Sequence, residues 1–176
     1  KNLNTEEVTD MSAMFSGCKL LEVADVSRFN TSKVTSLYDM FYNCRKLNRI
    51  NVSNWDTSNV TTMEFTFQNC YAIQSLDLSN WNTSKVENMG YMFYYCENLL
   101  NLDLSNFDTS KVQDMRYMFY SCEKLQEIVL SSFDTSNVTN MYYMFAYCSN
   151  LESLNLSSFN TKKVTIPFEQ TVEGID

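Results

Sequence analysis

The chain has no histidine, one proline and three glycines in 176 residues. Without histidine, a serine or cysteine nucleophile lacks its commonest general base, and zinc lacks a common ligand. No Cys-x-x-Cys pair is present either, so neither a metal nor a cofactor is expected. Scarce glycine and proline leave the turns to Asn, Asp, Ser and Thr, which hydrogen-bond nearby backbone and tolerate tight bends. Basic residues are outnumbered, 13 against 21 acidic, for a net charge of −8. That balance argues against a nucleic-acid partner, which needs a basic stripe. No apolar run approaches the roughly 18 residues of a membrane span, so this segment is not expected to insert. No signal peptide is visible and the chain starts at Lys1, so a piece of a longer protein or a mature form is expected.

What is present is a repeat. Cys18, Cys44, Cys70, Cys96, Cys122 and Cys148 recur every 26 residues. Val8 to Val164 and Thr5 to Thr161 keep the same period. A fixed period of this size signals a stacked array rather than a conventional core. One repeat cannot bury its own apolar faces, so stacking must complete the burial.

Each repeat has two parts. In the copy from Phe107 to Ser132, Val112, Met115, Met118, Phe119 and Cys122 are spaced as on one face of a short helix. Thr9, Thr35, Thr61 and Thr139 stand where they would cap it, replaced by Glu87 and Gln113 in two copies. Ile128 and Leu130 then alternate as in a strand. Strand and helical segment repeated in one direction predict an α/β fold: a right-handed solenoid with a parallel sheet on one side and short helical segments on the other.

The strand section LxxLxL, as in "LLNLDL" and "LQEIVL", is the leucine-rich-repeat signature. The longer stretch "CEKLQEIVLSSFDTSNVTNMYYMF" resembles the BspA-like leucine-rich-repeat family of bacterial surface proteins, in a 26-residue form common in low-GC bacteria and mycoplasmas. The resemblance runs from about Leu3 to Thr165. It implies a curved solenoid, a cell-surface location and adhesion to extracellular proteins or glycans. It carries over no catalytic residue.

The remaining columns admit several chemistries. The cysteines, on the apolar face in every copy, are expected to form a buried ladder of free thiols rather than disulfides. Asp77 and Asp103 share a strand column; about 4.8 Å apart if their strands pair, they would suit a retaining glycosidase. The bland alternative is an exposed column of mixed acids and amides. The unbroken Thr column admits ice binding, but a backbone-bonding ladder that seals a turn fits better. Asn30, Asp56, Asn82, Asp108, Asp134 and Asn160 are expected to shape turns rather than bind calcium.

The tyrosines are the main functional lead. Tyr91, Tyr94, Tyr117, Tyr120, Tyr143 and Tyr147 fall on outward positions of copies four to six, with Tyr95 and Tyr142 nearby. Exposed aromatic patches mark contact surfaces, and Tyr brings area at small entropic cost. The competing reading is that the rings merely cover gaps between rungs. A second candidate surface is the outward strand face, with Arg49, Asn51, Asp77, Asp103 and Glu127.

The predicted organisation is a solenoid of six repeats over residues 1–166, then a cap or linker over 167–176 from Pro167 onward. The expected function is a non-catalytic, surface-exposed binding module for an extracellular protein or glycan. A passive stalk in a larger surface protein and a carbohydrate-active enzyme are the alternatives.

Overall fold

The computed structural model describes residues 3–165. The tail expected to cap or link lies outside the described residues. Six rungs stack along one axis, and two parallel ladders hold them together.

The first ladder is the expected sheet, in fragments. β1 (Val23–Ala24) pairs in parallel with β2 (Arg49–Ile50), and β3 (Asn101–Asp103) with β4 (Glu127–Val129). The third rung, around Leu76 to Leu78, forms no strand; Leu100 N–H donates to the Gln74 carbonyl and the Asn106 side-chain amide to the Leu78 carbonyl. The inward residues of this face include Ala24, Leu102 and Ile128, all buried.

The second ladder replaces the expected helices. No helix occurs among the described residues, so the class is not α/β. From the fourth rung, Met89, Tyr91, Phe93 and Tyr95 donate their N–H groups to the carbonyls of Asp114, Arg116, Met118 and Tyr120 in the fifth, at 2.9–3.0 Å. The same four-bond pattern joins Met11, Ala13, Phe15 and Gly17 to the second rung, and recurs at the junctions between. The intervening N–H groups close four-residue turns within the rung, as Met92 to Met89, Tyr94 to Tyr91 and Cys96 to Phe93. Every second turn has its third residue at positive φ, the type II arrangement. Those residues form two columns: Ala13, Asp39, Phe65, Tyr91, Tyr117, Tyr143, and Gly17, Asn43, Asn69, Tyr95, Ser121, Tyr147.

The physical reason for the difference is bond accounting. A helix spends its N–H groups within itself. This segment spends half of them on the next rung, which glues the stack. Turns closing three residues back reproduce the apolar spacing of a helix face, so Met, Phe and Cys still point into the core. The Thr9 column caps nothing. Thr35, Thr61, Thr139 and Thr165 each donate backbone N–H and side-chain hydroxyl to the residue at their own position one rung earlier.

The core lies between the ladders. Phe15, Phe41, Phe67, Phe93, Phe119 and Phe145 form a continuous stack with centroids 5.3–5.9 Å apart. Trp55 and Trp81 stack beside them at 6.1 Å, each indole N–H donating to a carbonyl of the preceding rung. Five cysteines are buried free thiols, as expected; Cys18, in the first rung, is exposed. The ladder is more than apolar filling. Cys44, Cys70, Cys96, Cys122 and Cys148 each donate S–H to the carbonyl of the Phe 29 residues earlier.

The unbroken Thr column seals a turn at most rungs, Thr31 excepted, whose buried Oγ1 has no hydrogen-bond partner among the described residues. Thr109 Oγ1 donates to the Asp134 carbonyl and accepts from the Asp134 N–H, both at 2.9 Å. Thr5, Thr57 and Thr135 make the same pair of bonds to the next rung. These hydroxyls are buried, which removes the ice-binding reading. The Asn and Asp residues preceding them close turns as expected. Asp56 accepts from Ser58 N–H, and Asn82 from Ser84 N–H.

Candidate functional site

The turn ladder places the predicted tyrosines together. Because consecutive rungs superpose every 26 residues, a side chain at one position lies over its equivalent one rung on. Phe65, Tyr91, Tyr117 and Tyr143 form one such column, with successive centroids 4.9, 4.8 and 5.7 Å apart. Tyr94 and Tyr120 stack beside it at 5.0 Å, and Tyr120 meets Tyr147 edge-on at 5.2 Å. Tyr95 packs on Tyr94 and Tyr120, and Tyr142 on Tyr117 and Tyr143. All six predicted tyrosines thus belong to one continuous layer over rungs four to six.

The layer is half-buried rather than free-standing, with Tyr147 the most open at 43%. Ring upon ring desolvates the phenols. Burial, with neighbouring Tyr hydroxyls, pushes Tyr94 up to about 12 and Tyr117 up to about 12. The rings do cover the gaps between rungs, and the layer is also the surface that rungs four to six present to solvent. Its backbone is unusual. Tyr91, Tyr95, Tyr117, Tyr143 and Tyr147 all lie at φ between 52 and 60. A bulky side chain there is a true outlier, unfavourable by roughly 1–2 kcal/mol, whereas Gly, Asn and Asp accept it readily.

A cation missed in the sequence anchors one side. Arg116 stacks 5.6 Å from the Tyr91 centroid, bonds Glu64 Oε1 at 3.1 Å and lies 3.4 Å from Asp114. Glu64 and Arg116 are two rungs apart. The signal was legible only as a 52-residue separation, twice the repeat.

The alternative strand-face residues are exposed where the alternation placed them. Arg49 and Asn51 line a shallow depression of about 500 Å³ with Val23, Asp25 and Ser75. Asp103 and Glu127 flank the β3–β4 pair. Asp77 and Asp103 are not brought together as paired strand residues: Asp77 is outside any strand and Asp103 registers with Val129. Each carboxylate accepts from the serine two residues on, Asp77 from Ser79 and Asp103 from Ser105. Those bonds hold both below the usual carboxylate range. A glycosidase acid needs the opposite shift. No cluster of three or more His, Cys, Asp or Glu side chains that could hold a metal occurs among the described residues. No helix among them is long and apolar enough to cross a membrane.

Comparison with known proteins agrees with this architecture. The model of a family described as "Mycoplasma protein of unknown function, DUF285" matches residues 1–101 and again 97–170. Among solved structures, a leucine-rich repeat protein from Eubacterium ventriosum is similar at 23% identity and a TM-score of 0.53, over 84% of this chain and 36% of that one. The chain therefore spans about a third of that protein. The T. pallidum leucine-rich repeat protein TpLRR is similar at 16% identity and a TM-score of 0.54, over 96% of this chain and 80% of that one. No curated protein matches. At these identities the solved structures speak for the fold alone, a leucine-rich-repeat solenoid. The chain belongs to the DUF285 family, a BspA-like leucine-rich-repeat family.

Proposed function

We propose that this chain is a non-catalytic binding module, displayed at a bacterial cell surface, that docks an extracellular protein through the tyrosine layer of rungs four to six. The observation that carries the reading is the backbone of that layer. Five of its tyrosines occupy left-handed positions that rungs one to three fill mostly with Ala, Asp, Gly and Asn. Strained bulky residues concentrated on one patch point to a contact function rather than to folding.

Ring geometry favours a protein over a glycan. A sugar stacks on a free ring face. Here Tyr91 and Tyr117 are stacked face to face at 16°, as are Tyr94 and Tyr120 at 16°. The layer thus offers solvent ring edges and hydroxyls more than faces, which suits the mixed apolar and hydrogen-bonding contacts of protein interfaces.

The test is a screen of the chain on extracellular-matrix proteins, mucins and glycans, beside a folded Tyr91/Tyr94/Tyr117/Tyr120→Ser variant. A protein hit lost in the variant supports the reading. A hit retained by the variant moves the site to the strand face around Arg49 and Asn51, and a glycan hit overturns the partner class. No hit for either chain leaves a structural stalk as the better account.

A further inference from the structure

The tyrosine column continues into rungs two and three, where its character changes. Tyr38, Asp39, Tyr42, Phe65 and Gln68 line a recess of about 300 Å³. Tyr38 and Phe65 pack edge to face as one aromatic side of it, with centroids 5.4 Å apart and planes at 89°. Asp39 lines the same recess. Among the described residues, no side chain bonds or ion-pairs with the Asp39 carboxyl group. Burial raises its pKa above the ordinary carboxylate range. Gln68 also lines it, and its buried Oε1 has no hydrogen-bond partner among the described residues. Tyr38 registers the same field, its phenol pushed up by burial and then by the charges of Asp39 and Glu64.

Elsewhere on the same ladder, Arg116 lies over the Tyr91 ring and pairs with Glu64, so a cation, a ring and a carboxylate already meet there. The recess has rings, carboxylate and a spare acceptor without the cation. Aromatic walls attract cations through the negative faces of their rings, most strongly where water is excluded. A partly buried carboxylate and an orphaned amide oxygen gain most from a donor that carries positive charge.

We propose that the Tyr38–Asp39–Tyr42–Phe65–Gln68 recess binds an organic ammonium group. Two sources share that chemistry: the side chain of a lysine, methylated or not, and the trimethylammonium head of a choline compound. The recess stands on its own geometry and does not depend on docking at rungs four to six.

The test uses the full chain and four probes in ¹H–¹⁵N NMR titrations: Nα-acetyl-lysine methylamide, its ε-trimethyl form, choline, and 3,3-dimethylbutanol as the neutral isostere of choline. The expected result is saturable shifts confined to amides near Asp39, Tyr42, Phe65 and Gln68, with at least one cation binding ten-fold or more tightly than the neutral alcohol. The ranking of the lysine forms against choline distinguishes the sources. Asp39→Asn should abolish binding with the spectrum otherwise intact, because Asn accepts the φ of 58 that this position holds. Tyr38→Leu should weaken it about ten-fold. Shifts absent from the recess, equal binding of the neutral alcohol, or full affinity in Asp39→Asn would overturn the proposal.

Discussion

Tyr91 and Tyr117 stack at 4.8 Å with both backbones in the left-handed region, at φ 57 and 55. The pair gains ring contact at the expense of backbone strain. Tyr117→Asn relieves the strain while losing half-buried area, so its net effect on stability should stay within about 1 kcal/mol. Phe119→Ala, two residues on and fully buried in the phenylalanine stack, should cost about 3–5 kcal/mol. Urea unfolding of both variants checks the contrast. Equal losses would mean that the tyrosines are core residues in disguise.

Thr109 tests the sealing ladder. Its hydroxyl satisfies both backbone groups of Asp134. Thr109→Val keeps the shape and orphans both, for a loss of about 1–3 kcal/mol. Thr35→Val, in the exposed Thr column, should change stability by no more than about 0.5 kcal/mol.

The thiols should separate into two classes under a thiol reagent at neutral pH. Cys18 is exposed and should react within minutes, while the five buried thiols wait for unfolding. Burial pushes Cys44 up to about 11 and Cys148 up to about 12, and raises Cys70, Cys96 and Cys122 as well. The folded chain therefore keeps protons that the unfolded chain releases near ~8.5. Stability should be full below that pH and decline above it. A melting temperature flat from pH 8 to pH 10.5 would contradict the buried ladder.

At the acid end the sign reverses. Hydrogen bonds from the serine two residues on lower Asp10, Asp25, Asp56, Asp77, Asp103, Asp108 and Asp134. Their contribution is present above the unfolded value of ~3.9 and lost as pH falls through the lower folded values. Asp39 and Glu97, raised chiefly by burial, act in the opposite sense and are fewer. Thermal melts should fall below about pH 4, and the Asp56→Asn/Asp108→Asn/Asp134→Asn variant should fall less. An unchanged acid profile in that variant would contradict the turn bonds.

Stacking, the inward and outward alternation of the strand face, the thiol ladder and the turn-forming Asn and Asp columns were legible because each depends on a residue type recurring at one position. The helices were misread because type II turns closing three residues back repeat the apolar spacing that Val112, Met115, Met118 and Cys122 share with a helix. A correcting signal stood in the same rows. Gly17, Asp39, Asn43 and Asn69 occupy the two columns that turn out to have positive φ, and such residues favour that region over a helix interior. The outward placement of the tyrosines survived the wrong element because turn and helix turn the same apolar residues inward. The break in the sheet at rung three had no sequence counterpart: Ile73, Leu76 and Leu78 match the other rungs. The recess beside Asp39 was illegible because it joins residues of two rungs through their side-chain angles.

The measurement that bears most directly on the tyrosine surface is a paired affinity determination against a protein partner from the binding screen. One variant carries Tyr91/Tyr94/Tyr117/Tyr120→Ser; the other carries Arg49/Asn51/Asp77/Asp103/Glu127→Ala on the strand face. The account predicts a loss of at least a hundred-fold in the first, about 2.7 kcal/mol, and less than three-fold in the second. The reverse pattern, with both chains folded, would contradict it.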